Sequence, residues 1–277
     1  MVAYRFEDTQ WGQTQIGAPK KTKTQKKPKV NHNDNHLGDI RFRQLFKNDD
    51  WYRLPAAVRR RFGRRVELGD TLIYRGHVEF NRVNRWGRIL TNLLRIIGAP
   101  LPLDTDNEGA AAVVTVTEAP GKNGEHDGQV WMRQYARKDT KHPFPQIIQS
   151  TKRFEGPTGV EEYIGGGIGM SLKACVEGQE LVFNAEDIFW DIKIPLGKNR
   201  EGKIRLTLPR WLGPNLLRAG HEEIGNGTFA FTLRLEHKWF GKMLNQRVWF
   251  QDDLKPLDDA PPQEEEINIR KRLEVVT

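Results

Sequence analysis

The chain has 277 residues, with 44 Lys and Arg against 36 Asp and Glu, a net charge of +8 and an apolar content of 37%. That length admits one large domain or two modest ones with a sizeable core, and the one cysteine, Cys175, excludes an internal disulfide. No apolar run reaches the ~18 residues of a membrane span, and the opening MVAYRFEDTQW has no apolar signal segment, so a cytoplasmic protein is expected.

Residues 1–30 carry seven Lys or Arg against two acids, and Lys20, Lys21, Lys23, Lys26, Lys27 and Lys29 crowd one decade between Pro19 and Val30. Such a segment buries too little apolar surface to offset its ordering entropy, so residues 1–36 are expected to form a disordered basic tail. Lys20–Lys29 suits contact with an anionic membrane or nucleic acid, and a solubilising tail is the simpler reading. His32 and His36 have helical spacing but no third ligand beside them, so no metal site is expected.

Leu37 to Arg65 is predicted as two short helices. Ile40, Phe42, Leu45 and Phe46 give the first an apolar face, and Pro55 suits the first turn of a second through Val58 and Phe62, ended by Gly63. The arginines at 59–61 and 64–65 read as a solvated face or as a site for phosphate or an acidic partner.

From Thr71 the period becomes two, with Leu72, Tyr74, Gly76, Val78 and Phe80 on one side. A helix follows. Trp86, Ile89, Leu90, Leu93, Leu94 and Ile97 recur at steps of three and four, Asn84 can cap its start, and Gly98 with Pro100 can end it. It is expected to lie across a sheet and close the sheet's apolar side.

Further strands are expected at Ala111–Glu118, Gln129–Ala136, Ile168–Val176, Leu181–Ile194, Lys203–Leu208, Thr228–Glu236 and Gln246–Gln251, with weaker patterns at Gln146–Arg153 and Val160–Ile164. Residues 252–277, with three prolines and the acidic run Glu264–Glu266, read as a C-terminal tail, in which a short helix near Ile267–Val275 fits the pattern. Two stretches of about a hundred residues share a faint order of motifs, which would make two similar β-layers joined by the Ile168–Phe183 hairpin. The predicted fold is therefore mainly β (α+β). It is a curved antiparallel sheet or open half-barrel of long strands over residues 37–251, with two repeated halves as one option, covered by a few amphipathic helices.

A set of motifs spread over about Phe46 to Phe250 carries a resemblance. The set comprises Trp51 with Leu54, Pro55 and Val58; Tyr74 and Gly76; Gly98 through Leu103; Trp131 with Arg133; Gly165 to Met170; and Ile194, Pro195 and Leu196. It resembles an uncharacterised bacterial family, filed among the domains of unknown function of the four-thousands series. Members look like stand-alone proteins or segments fused to Rossmann-type oxidoreductases of the saccharopine-dehydrogenase or epimerase kind. No catalytic residues are established for that family, so the resemblance assigns none. This chain departs from the fused members by lacking such a partner domain and by adding the lysine-rich segment.

Gly165, Gly166, Gly167 and Gly169 open a strand rather than a helix and precede no Gly-Lys-Ser/Thr, which favours a bulge or close backbone approach over a phosphate loop. Arg133, Glu236, His237, Asp187 and Asp191 are available acid–base groups, yet no nucleophile–base pair is legible, and Cys175 has no recognisable partner. Trp86, Trp131, Tyr163 and Trp190 suit an apolar pocket or plain core packing. Together with Arg133, Gly166, Gly167 and Met170 they form the candidate ligand-binding set. The leading expectation is a binding protein for an apolar or amphipathic, lipid-like molecule in a sheet–helix pocket, with no cofactor. An enzyme or accessory domain of a redox enzyme is a second reading, and a peripheral protein held by its basic tail a third.

Overall fold

The computed structural model describes residues 39–252, apart from 97, 99–100, 103–104, 121–125, 139–143 and 196–200. The expectations for residues 1–36, for Lys20–Lys29 and for the C-terminal segment beyond Asp252 lie outside the described residues.

Eleven described strands run β1 (Thr71–Val83), β2 (Ala111–Pro120), β3 (His126–Tyr135), β4 (Gln146–Arg153), β5 (Glu161–Gly165), β6 (Ile168–Glu177), β7 (Glu180–Pro195), β8 (Glu201–Thr207), β9 (Leu216–Gly225), β10 (Thr228–His237) and β11 (Gly241–Gln251). Each pairs antiparallel with its neighbours in the order β6-β5-β4-β3-β2-β1-β11-β10-β9-β7, and β7 then pairs with β6. Ten strands thus close on themselves as a barrel. This corrects the expected open half-barrel. The ring is one continuous antiparallel meander in which β1 meets β11 through Arg75–Val83. Closure explains the correction physically: a sheet with one apolar face can bury that face against itself, and a closed ring leaves few unpaired edges.

β7 is long enough to serve two neighbours. Glu180–Asn184 pair with β9, while Phe189–Pro195 pair with β8, which lies outside the ring of ten. β9 lies in a stretch with no predicted strand. Its alternation is hidden by Gly220 and by the run His221, Glu222, Glu223, in which the inward-facing residue is a histidine.

Irregular pairing re-aims side chains along several strands. In β1 a shift between Val78 and Phe80 turns Asn81 and Val83 inward, so Phe80 does not continue the apolar face that simple alternation assigns it. Gly166 and Gly167 make the β5–β6 turn, both with positive φ (57° and 81°), as a two-residue hairpin of the primed type requires. A side chain on Gly167 would also strike the Asp191 carbonyl, with its Cβ 2.4 Å from that oxygen.

One end of the barrel is filled by three short helices, α1 (Ile40–Arg43), α2 (Asn48–Arg53) and α3 (Ala56–Gly63). The sequence reading expected two. Asp49 and Asp50 in the first turn of α2 complement its N-terminal dipole and support the extra turn. Phe42, Val58 and Phe62 are buried among barrel side chains, with the Phe62 ring 6.2 Å from Trp131 and 4.6 Å from His221. Each such burial stabilises by about 1.5–3 kcal/mol. Ion pairs bolt the plug to strand ends: Arg41 reaches Glu118 at 2.7 Å, and Arg61 reaches Glu223 at 3.0 Å while lying over the Phe229 ring.

The fourth helix, α4 (Arg85–Ile96), follows β1 at the opposite end. Asn84 caps it as expected, its Oδ1 accepting from the Gly87 amide at 2.8 Å while its Nδ2 donates to the Phe240 carbonyl. The buried face differs from the expected one. Gly87 and Thr91 are buried, and Ile89, Leu93 and Ile96 are exposed. The cause is close approach: a Cβ on Gly87 would lie 2.1 Å from the Met243 carbonyl oxygen, so the helix seats on β11 by its smallest residue.

Candidate functional site

Between the helical plug and α4 the barrel encloses a cavity of about 700 Å³. Its walls are inward residues of the strands: Ile148, Met170 and Leu172 on one side, Leu217, Phe231 and Leu233 on the other. Its mouth is framed by Leu90 and Leu94 of α4, by Leu101 and Pro102, and by Leu208, Leu212 and Pro214 of the β8–β9 connection. Alternation explains the lining. Every second residue of each strand points inward, and these positions are largely apolar.

The inner end is not apolar. Lys152 of β4 stands directly opposite Glu162 of β5, Nζ to Oε2 2.7 Å. Arg133 of β3 approaches the other carboxylate oxygen at 3.5 Å and donates from Nη1 to Ser150 Oγ at 3.0 Å. Burial would raise the Glu162 carboxyl, but the Lys152 ammonium and Arg133 guanidinium outweigh it and hold the group down to about 2. Burial pushes the Lys152 ammonium down and Glu162 opposes that push. Two basic side chains, Lys152 and Arg133, therefore share one carboxylate at the floor.

Two donors in the cavity lining have no protein partner. Arg133 is 8% exposed and its Nε is unbonded; Gln246, which accepts from the Tyr135 hydroxyl at 3.4 Å, has an unbonded Nε2. Both residues line the cavity. Buried donors without partners are costly, so such atoms mark places where a bound group can contribute. Beneath them Lys152 lies over the Trp131 and Phe183 rings. His221 sits edge-on to Phe62 and Phe231, driven well below its ordinary pKa by burial and by Arg61, Lys152 and Arg133.

The eight candidate ligand residues separate in the structure. Arg133, Gly166, Met170 and Trp190 line the cavity. Trp131 lies deeper, against Phe62, its Nε1 donating to Gln129. Trp86 packs on Phe240 at the mouth, ring centroids 4.7 Å apart. Tyr163 and Gly167 serve the outer wall. The Tyr163 hydroxyl bonds Glu161 and Asp191 at 3.0 Å, and the Gly167 carbonyl accepts the Asp191 amide. Trp190 is pinned there too, its indole donating to the Gly166 carbonyl at 2.9 Å.

Of the acid–base groups, Asp191 belongs to the same outer network, where the Arg205 hydrogen bond, against the effect of burial, holds it down to about 2. His237 lines the cavity mouth, stacked on Phe240, with Nδ1 accepting the Trp239 amide. Asp187 lies 3.6 Å from Arg210 on the outside. Among the described residues no group of three or more His, Cys, Asp or Glu could hold a metal ion.

Sequence reasoning missed Lys152, Glu162, Ser150 and Gln246. The one available signal was that Gln146, Ile148, Ser150 and Lys152 alternate with equally mixed residues, so a polar inner face was indistinguishable from a wet outer one.

The chain belongs to the family described as a domain of unknown function, DUF4166, whose sequence profile matches residues 54–250. It is also similar to a probable FAD-binding monooxygenase of Aspergillus luteorubrus, with 27% identity over 168 residues, which cover 58% of this chain and 31% of that protein. The chain thus spans about a third of the length of that curated relative.

Proposed function

We propose that this DUF4166 barrel is a binding protein for an amphipathic small molecule that carries an acidic head group on an apolar body. The observation that supports the reading is the contrast inside one cavity: apolar walls along its length, a buried Lys152–Glu162–Arg133 cluster at the inner end, and two unpartnered donors, Arg133 Nε and Gln246 Nε2, in its lining. A volume of about 700 Å³ falls within the range of small-molecule sites. Apolar burial at about 25 cal/mol per Å² supplies affinity, and Arg133 orients the acid.

The test is native mass spectrometry of the freshly purified protein, followed by solvent extraction. A stoichiometric acidic amphiphile supports the reading and names the cargo. A bare mass, together with failure to bind a fluorescent fatty acid, counts decisively against it.

A second reading draws on the monooxygenase relative, of which this chain matches about a third. On that reading the barrel holds an apolar substrate or product for a flavin-dependent partner. It predicts an extracted molecule that an oxygenase can act on or has already oxidised; an ordinary membrane phospholipid or fatty acid speaks against it. The tethering role of Lys20–Lys29 is a separate proposal, tested by removing residues 1–36 and by raising salt to about 0.5 M, where charges beyond a few ångströms are screened.

A further inference from the structure

Large apolar residues ring the cavity mouth, several of them beside a neighbour that lines the cavity. Leu90 and Leu94 line the cavity while their neighbours Ile89 and Leu93 are exposed; Phe240 lines it while Trp239 is exposed; Leu212 lines it and is, like Trp211, exposed. Ile96, 81% exposed, extends the stripe of α4 at the spacing of one helix face. The aromatic members form a continuous row, with Trp86 next to Phe240, Phe240 next to Trp239, and Trp239 6.4 Å from Trp211. A monomer rarely leaves so many large apolar side chains together in water without a use for them.

The charge of the same segments has one sign. Residues 82–98, 206–217 and 237–243 hold Arg82, Arg85, Arg88, Arg95, Arg210, Lys238 and Lys242, and no Asp or Glu. Three acids, Asp104, Asp106 and Glu108, follow the 101–102 segment in sequence, and Asp187 lies 3.6 Å from Arg210. Lys238 lies over the Trp239 ring at 4.5 Å, so cation and aromatic sit on one spot. Tryptophan with flanking Arg and Lys, beside a helix that exposes an apolar stripe and arginines, is the composition that settles at the headgroup boundary of a bilayer. A protein partner of matching shape would need acidic and apolar groups in register over three separate segments. A fluid anionic surface meets that requirement without register.

We infer that the rim of the cavity mouth is a docking surface for an anionic phospholipid bilayer. Ile89, Leu93, Ile96, Trp211 and Trp239 enter the headgroup boundary and the surrounding cations face phosphate and carboxylate. Docking there turns the cavity opening toward the hydrocarbon, so an amphiphile can pass between bilayer and barrel without crossing water. The surface is built from other residues than Lys20–Lys29, and docking itself does not depend on what the cavity holds.

The experiment uses the full chain with vesicles of phosphatidylcholine containing about 30% phosphatidylserine, and with pure phosphatidylcholine. Co-sedimentation measures binding, and quenching of tryptophan fluorescence by bromine-labelled acyl chains reports insertion. Binding is expected to the anionic vesicles, with quenching. It should fall by about tenfold or more in Trp211→Ser/Trp239→Ser and in Leu93→Ser/Ile96→Ser, since bilayer affinity scales with buried apolar area. All four residues are exposed, so both variants keep the fold, which circular dichroism checks. The inference is overturned if no binding occurs, or if binding is unchanged in both variants and vanishes instead when residues 1–36 are removed. It is equally overturned if the rim variants abolish self-association while the parent ignores vesicles, because the rim then joins two copies. A bare cavity in mass spectrometry with intact vesicle docking would sink the ligand reading and leave this one standing.

Discussion

Lys152 and Glu162 face each other across adjacent strands, 2.7 Å apart, with both side chains withdrawn from solvent. The pair anchors a larger arrangement, because Arg133 leans on the same carboxylate. Removing the carboxylate by Glu162→Gln leaves two buried cations without a counter-charge and should cost about 3–5 kcal/mol in chemical denaturation. Lys152→Met leaves Glu162 paired with Arg133 and should cost distinctly less. Equal losses from the two substitutions would mean that the cations do not share the charge.

Arg133→Leu tests the orienting role assigned to that guanidinium. A charge-assisted contact at a buried site supports a loss of about tenfold or more in affinity for a fatty acid. The corresponding alcohol should bind the variant about as well as the parent. Competition with a fluorescent probe measures both, and a parallel loss for acid and alcohol would indicate collapse of the wall rather than loss of a charge contact.

His221 makes the fold sensitive to mild acid. Burial and the neighbouring cations hold it neutral, well below its ordinary value of 6.5. An unfolded chain takes up a proton there as pH falls below about 6.5, whereas the folded chain does not. Stability from this group is thus complete above that pH and declines below it, by at most about 1.4 kcal/mol per pH unit. Glu162, lowered from 4.5 to about 2, adds a further decline below pH 4.5. His221→Phe should flatten the slope between about pH 6.5 and 5 in thermal melts while keeping ring contacts with Phe62 and Phe231.

Gly87→Val asks whether the close seat of α4 matters. The added side chain meets the Met243 carbonyl and the Val83 side chain at distances that atoms do not tolerate. Loss of about 1–3 kcal/mol and faster release of a bound probe are expected, because the strain must lift the helix that frames the mouth. A variant as stable as the parent, with unchanged release, would show that α4 adjusts without moving.

Much of this architecture was legible in the sequence. Leu72, Tyr74 and Val78, or Phe229, Phe231, Leu233 and Leu235, alternate cleanly because their strands have one apolar side, and Asn84 and Gly98 bracket α4 through ordinary capping chemistry. Closure was not legible. The pairing of β1 with β11 joins residues about 170 positions apart, and nothing local in either strand specifies its partner. The site was half legible. Arg133 shares a face with Trp131 and Tyr135 and could be picked out, but Lys152 and Glu162 carry charges that a pattern reader sends to solvent. Only their mutual neutralisation allows them inside, and that depends on a register between β4 and β5 that the sequence leaves open. The face of α4 was misjudged for a related reason: bulk favoured Ile89 and Leu93 as the buried side, while a backbone contact selected Gly87.

The stopper formed by α1–α3 has a kinetic corollary. Phe42 and Phe62 fill one end of the barrel, so the mouth beside α4 is the common path for arrival and departure. By microscopic reversibility the same barrier governs both directions. A substitution at a mouth residue that does not touch the bound molecule should therefore change on-rate and off-rate by equal factors and leave the equilibrium constant untouched, whereas a substitution at Arg133 should act mainly on the off-rate.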